Sequence, residues 1–222
     1  MVDYPRDLDG LRWEKDTQAR AGYLIFDRPP MNLISFKARA QIAAIIAAMD
    51  EDTEIRVIVI RGANGVYSAG GDIAGFLKVE RDGMHDLAWN VAAPERAKKP
   101  VIAAIEKWAM GVAFELALAA DFRIATDNTQ LALPEINLGI TPGSGGTVRV
   151  AHLVGLTRAK EMIMRGRRLT AREALDWGLV SEACRTASST RRLRAGSRIS
   201  PHGRQFRLPP SSASLTRPTR PL

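Results

Sequence analysis

The chain has 222 residues, enough for one ordinary domain or for a domain plus a tail. Its single cysteine, Cys184, excludes an internal disulfide and fits a reducing compartment, so we expect a cytoplasmic protein. No apolar run approaches the roughly 20 residues that a membrane span requires. The acidic N-terminus lacks the apolar core of a signal peptide, so we expect no membrane partner.

The formal net charge of +8 is concentrated at the C-terminal end. Residues 183–222 contain nine arginines and no lysine, aspartate or glutamate, whereas residues 1–182 hold 23 basic and 24 acidic side chains. The body is therefore near neutral, and general attraction to nucleic acid is not implied for it. We divide the chain into a folded core, residues 1–182, and an Arg/Ser/Pro-rich tail, residues 183–222. The tail's composition predicts disorder from about residue 185.

The first half of the core alternates strand and helix signals. Residues 22–26 (GYLIF) predict a strand that ends at the following prolines. Ser35 is a good N-cap for a helix through Met49. Residues 55–60 (IRVIVI) are β-branched and nearly continuous, which is typical of a strand buried on both faces. A turn-rich loop and a helix over residues 86–98 follow.

The second half continues the same alternation. We expect strands over residues 100–105 and 121–126, separated by an almost wholly apolar helix over residues 109–120. Two short helices are predicted at 157–165 and 170–177, the second with a capping box. Strand and helix alternating in this way predict an α/β fold with parallel strands and right-handed crossovers.

Two carboxylates stand in apolar surroundings. Glu115 is the one charge of the apolar helix, and Glu135 follows Pro134 in the segment LALPEINLGI. A buried carboxylate is costly unless it is paired or its pKa rises. Each glutamate alone is explained by a salt bridge or a helix end. Together, beside glycine-rich turns, they favour general acid–base catalysis.

Two glycine-containing turns can offer free backbone N–H groups. The first, residues 67–73 (YSAGGDI), follows a buried strand, and the second, residues 110–113 (MGVA), opens the Glu115 helix. Two converging N–H groups would stabilise an oxyanion, although a tight turn is the commoner explanation for either stretch alone. Residues 142–146 (PGSGG) lack the Lys-Ser/Thr of a phosphate loop, and we interpret them as a helix entry that allows close packing.

Four ordered blocks carry a family resemblance: SAGGDIAGF, MGVAFELALAADFRIA, LPEINLGITPGSGGTVRV and LTAREALDWGLVSE. In this order and spacing they resemble the crotonase (enoyl-CoA hydratase/isomerase) superfamily, from about Leu24 to Glu182. The resemblance implies a spiral of ββα repeats with a C-terminal helical segment. It also implies assembly as trimers or as hexamers built from two trimers.

The resemblance also implies a site. The backbone N–H groups of Gly71 and Val112 would form the oxyanion hole for a thioester carbonyl. Glu115 and Glu135 match the two hydratase glutamates, which activate water for attack at the β-carbon and supply the proton at the α-carbon. The acyl-CoA would be bordered by five neighbours of the first turn: Ala69, Gly70, Asp72, Ile73 and Ala74. Coenzyme A would enter as part of the substrate, with no separate cofactor.

The chain departs from the family pattern at three places. Val112 replaces a common glycine, which keeps the N–H but narrows the pocket. Glu106-Lys107 stands where an Asn-Gly turn is usual. After Glu182 the Arg/Ser/Pro tail stands in place of the helices that would cover the acyl pocket, so the C-terminal helical segment is expected to be largely missing. The abrupt loss of acids resembles translation of a GC-rich gene in a shifted frame.

The sequence thus predicts an enoyl-CoA hydratase of lipid metabolism that adds water across the 2,3 double bond. The alternatives are another crotonase reaction, isomerase or hydrolase, or an inactive remnant whose basic tail binds nucleic acid non-specifically. We expect no specific nucleic-acid partner, since no aromatic stacking set accompanies the arginines.

Several other side chains are assigned no function. The three histidines lack metal-ligand spacing, so no metal is expected. Trp89, Trp108 and Trp177 are interpreted as core or interface packing. Tyr67 is left open between a pocket and a half-exposed loop. Cys184 is interpreted as inert, because it has neither a CxxC partner nor an obvious activating base nearby.

Overall fold

The computed structural model describes residues 2–76 and 86–185. Residues 186–222, for which disorder is expected, lie outside these ranges. The histidines His85 and His202 lie outside them as well. The strands are β1 (Leu11–Asp16), β2 (Ala21–Phe26), β3 (Val57–Gly62), β4 (Val101–Ile105), β5 (Trp108–Met110), β6 (Phe122–Thr126), β7 (Gln130–Ala132), β8 (Leu169–Thr170) and β9 (Glu182–Cys184). The helices are α1 (Phe36–Glu51), α2 (Ile73–Phe76), α3 (Leu87–Val91), α4 (Ala93–Arg96), α5 (Val112–Ala119), α6 (Gly146–Val154), α7 (Leu156–Met164) and α8 (Ala171–Asp176), and a 3-10 helix spans Glu135–Leu138.

The larger sheet has six strands in the order β1-β2-β3-β4-β6-β9. Every neighbouring pair from β2 to β9 is parallel, which confirms the predicted α/β pairing. The edge strand β1 was missed, because LRWEKD carries four charged residues, and it pairs antiparallel with β2. Strand β9 extends the sheet to Cys184, two residues past the predicted core boundary.

Apolar side chains explain why the central strands lie inside. All residues of β2 and β4 are buried, as expected for a parallel sheet covered on both faces. Helix α1 covers one face with Ile42, Ile45 and Ile46, and its N-cap Ser35 accepts a hydrogen bond from the Ala38 N–H at 3.0 Å. The predicted N-cap is therefore confirmed.

A second, three-stranded sheet, in the order β5-β7-β8, carries the loops that matter for function. It corrects the prediction of one helix over residues 109–120, because β5 occupies Trp108–Met110 and α5 begins only at Val112. Gly111 makes the change of direction, with φ 54° and ψ −128°, a conformation that a residue without Cβ adopts most easily.

Two other predicted elements differ in their bounds. The single helix over residues 86–98 is two short helices, α3 and α4, which meet at Ala92. Pro94 explains the break, since it has no N–H to donate and is tolerated only in the first turn of a helix. The strand predicted at 55–60 is displaced to Val57–Gly62.

The helix α5 is the most buried helix of the described chain. All eight of its residues, including Glu115, are buried. Of the three tryptophans assigned to packing, Trp177 packs partly buried against the core. Trp89 is 62% exposed, with the Arg96 guanidinium 3.7 Å from its ring centroid, so it does not pack in the core, and its packing at an interface stays a prediction.

Candidate active site

Glu115 is held by a turn far from it in sequence. It lies on the first turn of α5, and the residue is only 2% exposed. Its Oε1 accepts hydrogen bonds from the backbone N–H groups of Ser144, at 2.7 Å, and Gly146, at 2.9 Å. The two N–H donors fix the position of this oxygen. The remaining oxygen, Oε2, receives no hydrogen bond from the described residues and is available for chemistry.

Glu135 begins the 3-10 helix and points back onto the start of α5. A Cβ placed on Gly111 would lie 3.0 Å from its Oε1, so the carboxylate lies against the turn between β5 and α5. Its other oxygen, Oε2, is buried and has no hydrogen-bond partner among the described residues. The Glu135 carboxyl group therefore sits half-buried with one oxygen uncommitted.

The pKa of Glu135 is raised to about 7. The main cause is burial, which removes water from the charged form, and the negative charge of Glu115 raises the pKa further. A hydrogen bond from backbone lowers the pKa, but by less than burial raises it. Glu135 thus lies against Gly111, which immediately precedes the helix that carries Glu115. With its raised pKa, Glu135 is partly protonated near neutral pH.

The two predicted oxyanion donors lie on neighbouring parallel segments. Ser68 and Ala109 form a parallel bridge, in which the Ser68 N–H donates to the Trp108 carbonyl at 2.9 Å. Gly71 and Val112 are each three residues beyond that bridge. Within the described ranges, no hydrogen bond takes up the backbone N–H of either residue.

Gly70 allows the two segments to approach each other. It has φ 110°, and a Cβ at this position would lie 2.8 Å from the Met110 carbonyl oxygen. Only glycine satisfies both conditions without displacing the neighbouring backbone. The close approach at Gly70 therefore brings together the segments that carry Gly71 and Val112, and their joint role as oxyanion donors stays a prediction.

The five residues predicted to border a substrate lie around Gly71. The Ala69 N–H donates to the Met31 carbonyl at 2.9 Å, and Asp72 lies 3.9 Å from the Arg28 guanidinium. Gly70 is buried, Asp72 is half-buried, and Ile73 and Ala74 are exposed at the start of α2. The segment thus forms a partly exposed rim around Gly71, and its contact with a substrate stays a prediction.

Sequence reasoning missed the role of the turn at residues 144–146. The segment PGSGG was interpreted as a helix entry, and α6 does begin at Gly146. What the sequence did not reveal is that its N–H groups bind Glu115. The available signal was a glycine-rich turn that opens a helix, where N–H groups have no intrahelical partner and attract anions.

The described residues contain neither a metal-site cluster nor a membrane-spanning helix. Within residues 2–76 and 86–185, no group of three or more His, Cys, Asp or Glu side chains has metal-site geometry. None of the helices in those ranges is long and apolar enough to cross a membrane.

Tyr67 is fully buried and its ring meets Phe26 edge-on at 5.1 Å, so it belongs to the core and not to a half-exposed loop. Burial raises its pKa.

The fold and the paired acids define an α/β protein of the crotonase type. The described chain superposes on an enoyl-CoA hydratase subunit from Geobacillus kaustophilus with a TM-score of 0.79 at 30% identity, covering 86% of this chain and 75% of that one. It superposes equally on DspI of Pseudomonas aeruginosa, with a TM-score of 0.79 and 30% identity, covering 88% of this chain and 82% of the other.

Sequence comparison gives the family. The family model described as Enoyl-CoA hydratase/isomerase matches residues 16–196. The chain is 39% identical over 162 residues to the carnitinyl-CoA dehydratase of Shigella flexneri, and 40% identical over 154 residues to a peroxisomal bifunctional enzyme of Danio rerio. This chain therefore belongs to the enoyl-CoA hydratase/isomerase family, and the predicted crotonase fold is confirmed.

The matches cover only part of the relatives. They include 71% and 69% of this chain, but 62% of the dehydratase and 21% of the bifunctional enzyme. The chain thus spans less than two thirds of the length of these curated relatives. Family membership is consequently established over the shared core.

Proposed function

We propose that this protein adds water across the 2,3 double bond of an enoyl-CoA thioester. The observation that carries the proposal is the pair Glu115 and Glu135, two acids in one neighbourhood with different electrostatic environments. Hydration needs one group that takes a proton from water and another that gives a proton to carbon. A single acid would be enough to move one proton between two carbons, so the pair favours hydration over isomerisation.

Glu115 is the better base. Its Oε1 accepts hydrogen bonds from the N–H groups of Ser144 and Gly146, which hold the carboxyl group in place, and its Oε2 receives none from the described residues. In the proposed step this oxygen takes a proton from water as the water oxygen bonds to C3 of the substrate. The electron pair of the C2–C3 double bond then moves toward C2 and the thioester carbonyl.

Glu135 is the better acid. Its raised pKa, about 7, keeps a substantial fraction protonated at neutral pH, and its Oε2 has no partner within the described chain. It delivers its proton to C2, which completes the addition of H and OH. Afterwards Glu115 holds the additional proton and Glu135 has lost one, so exchange with solvent restores the starting state. In the reverse direction the same groups remove water, which is the type of reaction named for the dehydratase relatives.

The N–H groups of Gly71 and Val112 would stabilise the negative charge that develops on the thioester oxygen. Their register beside the Ser68–Ala109 bridge supports this role. Removal of one oxyanion donor typically lowers kcat by about 10²- to 10³-fold. The neighbouring rim, residues 69–74, would hold the CoA part of the substrate. No cofactor other than this CoA is part of the proposal.

Assembly and location are part of the same proposal. The 3-10 helix and the loop after it expose three large apolar side chains, Ile136, Leu138 and Ile140, at 43%, 53% and 45%. Adjacent exposed apolar residues are typical of surfaces that other protein covers. We therefore infer a homotrimer or a hexamer, in the cytoplasm, acting in lipid metabolism on an acyl-CoA.

Purified protein should hydrate at least one member of a panel of 2-enoyl-CoA thioesters. The conjugated double bond absorbs in the ultraviolet, so hydration is measured as loss of that absorbance and product is identified by mass spectrometry. Glu115→Gln and Glu135→Gln should each lower the rate by roughly 10²- to 10⁴-fold, because glutamine preserves size but removes the proton chemistry. Circular dichroism of each variant checks that the fold is intact.

The same samples distinguish the alternatives. An isomerase would convert a 3-enoyl to a 2-enoyl thioester and leave the double bond unhydrated. A hydrolase would release the free CoA thiol. Wild-type turnover by a folded Glu115→Gln or Glu135→Gln variant would remove that residue from the mechanism. A folded protein without any turnover would be the inactive remnant.

A further inference from the structure

Arg149 connects the turn that holds Glu115 to a distant helix. It lies on the first turn of α6, and its side chain is only 12% exposed. Its Nε and Nη2 donate to the two carboxylate oxygens of Glu95, on α4, at 2.7 and 2.9 Å. Its Nη1 donates to the Ser144 carbonyl oxygen at 2.7 Å. A single guanidinium thus binds a carboxylate with two bonds and a backbone carbonyl with a third.

The bonded carbonyl lies between the two groups that hold Glu115. Along the chain, the Ser144 N–H precedes the Ser144 carbonyl and the Gly146 N–H follows it, and both N–H groups donate to Glu115 Oε1. Rotation about the Ser144 backbone would turn the carbonyl away from Arg149 and the neighbouring N–H groups away from Glu115. The hydrogen bond from Arg149 opposes that rotation.

Gly145 shows that the turn is built to admit the guanidinium. It has φ 95°, in the left-handed region, and a Cβ at this position would overlap the Arg149 guanidinium. The Arg149 backbone N–H also donates to the Gly145 carbonyl, at 3.0 Å. The side chain and the main chain of Arg149 therefore both contact the turn.

We propose that Arg149 and Glu95 are positioning residues that fix the turn at residues 144–146 and, through it, the carboxylate of Glu115. Lysine could not replace the arginine, because one ammonium group has no planar fork to match Glu95 while also reaching the Ser144 carbonyl. The consequence for catalysis rests on the proposed function, whereas the effect on the turn does not. Neither Arg149 nor Glu95 needs to contact the substrate.

The test compares Arg149→Met, Arg149→Lys and Glu95→Gln with Arg12→Met as the control. Arg12 also donates through Nε to a carboxylate, Asp27 at 2.8 Å, but it lies on the edge strand β1. A small displacement of a catalytic group costs about 10²-fold, so we expect Arg149→Met to lower kcat by about 10- to 100-fold. KM should change by less than about threefold, and Arg12→Met should leave both constants unchanged.

A second comparison asks whether Arg149 acts through Glu115. Introduced into Glu115→Gln, Arg149→Met should lower the residual kcat by less than about threefold, because the group it positions no longer transfers a proton. An equal loss in both backgrounds would overturn the proposal. An unchanged kcat in Arg149→Met would overturn it as well.

Amide hydrogen exchange separates this inference from the proposed function. Whatever reaction the protein catalyses, the amides of Ser144 and Gly146 should exchange faster in Arg149→Met than in wild type and in Arg12→Met. Absence of hydration by the wild type together with faster exchange would contradict the proposed function but keep the positioning role. Unchanged exchange at both amides would overturn the positioning role, whether or not the enzyme hydrates enoyl-CoA.

Discussion

Gly146 and Glu115 are in direct contact although they lie on different helices. A Cβ added to Gly146 would lie 2.8 Å from the Glu115 Cγ and 3.0 Å from its Oε1. Carbon atoms do not approach so closely without displacement. Because Gly146 has no side chain, the Glu115 carboxylate can reach its two N–H donors.

Gly146→Ala should consequently displace Glu115 and lower turnover by about 10- to 100-fold, with a destabilisation of about 1–3 kcal/mol from overpacking. Gly143→Ala is the matched control from the same loop, because a Cβ there meets only the Thr141 carbonyl oxygen, at 4.0 Å. Steady-state kinetics and denaturant unfolding measure the two effects. Equal activity of the two alanine variants would contradict the required contact.

The raised pKa of Glu135 predicts how activity depends on pH. Glu135 is the proposed acid, so kcat/KM should fall as the pH rises above about 7, where the carboxyl group loses its proton. This alkaline limb should be absent from the residual activity of Glu135→Gln. A wild-type profile that stays level from pH 6 to pH 9, an interval that brackets the pKa of about 7, would contradict the assignment of Glu135 as the acid.

The same pKa predicts a stability difference between wild type and Glu135→Gln. The folded-state pKa of about 7 exceeds the ordinary value of 4.5, so the native state binds more protons between these pH values. Stability relative to Glu135→Gln should therefore fall as the pH rises from about 4.5 to 7 and then level off. Because the carboxyl group is partly exposed and screened, we expect a fall of about 1–2 kcal/mol. Urea unfolding of both proteins across this range measures it, and parallel curves would contradict the raised pKa.

Gly71→Pro tests the first oxyanion donor. Proline has no N–H, so kcat should fall by about 10²- to 10³-fold, equivalent to about 2.7–4 kcal/mol, while acyl-CoA binding partly persists. The backbone bonds on either side, from Ile34 N–H to the Gly70 carbonyl and from Asp72 N–H to the Ile34 carbonyl, do not use the lost group. Circular dichroism and thermal unfolding show whether the loop survives. A folded variant with full activity would mean that the oxyanion is stabilised elsewhere.

Removal of residues 186–222 tests what the Arg-rich composition predicts. We expect a nearly unchanged unfolding temperature, because this composition contributes little apolar burial. A shorter chain that ends at Val180 is the contrasting variant, since it also loses β9, which pairs with β6 at Ile124, Ala125 and Thr126. It should unfold at a distinctly lower temperature. A large loss of stability on removing residues 186–222 alone would show that they support the core.

Removal of residues 186–222 also tests whether the tail binds nucleic acid. If the nine arginines bind it, a gel shift by the full chain should weaken steeply with salt and disappear on removal of residues 186–222, which takes eight of the nine. Retention of binding by the shortened chain would locate the interaction on the body instead.

Local sequence determined much of the fold and the identity of the acids. Buried parallel strands are continuous β-branched or apolar runs, so β2, β3 and β4 were found with errors of one or two residues. A lone Glu115 in an apolar helix and Glu135 after Pro134 were recognisable because an isolated charge in apolar surroundings requires an explanation. Strand β1 escaped notice, because an edge strand needs no apolar pattern and LRWEKD has almost none.

Only the tertiary structure decided what surrounds those acids. The bonds to Glu115 come from residues 29 and 31 positions away, and the Glu95–Arg149 pair spans 54 positions. Hydrogen-bond partners at such separations follow from the packing of helices and sheets, which a local pattern does not encode. The pKa of Glu135 likewise depends on how much water the folded chain excludes and on its proximity to Glu115. The sequence thus supplied the acids, and the fold held Glu115 by two backbone N–H groups and raised the pKa of Glu135 by burial.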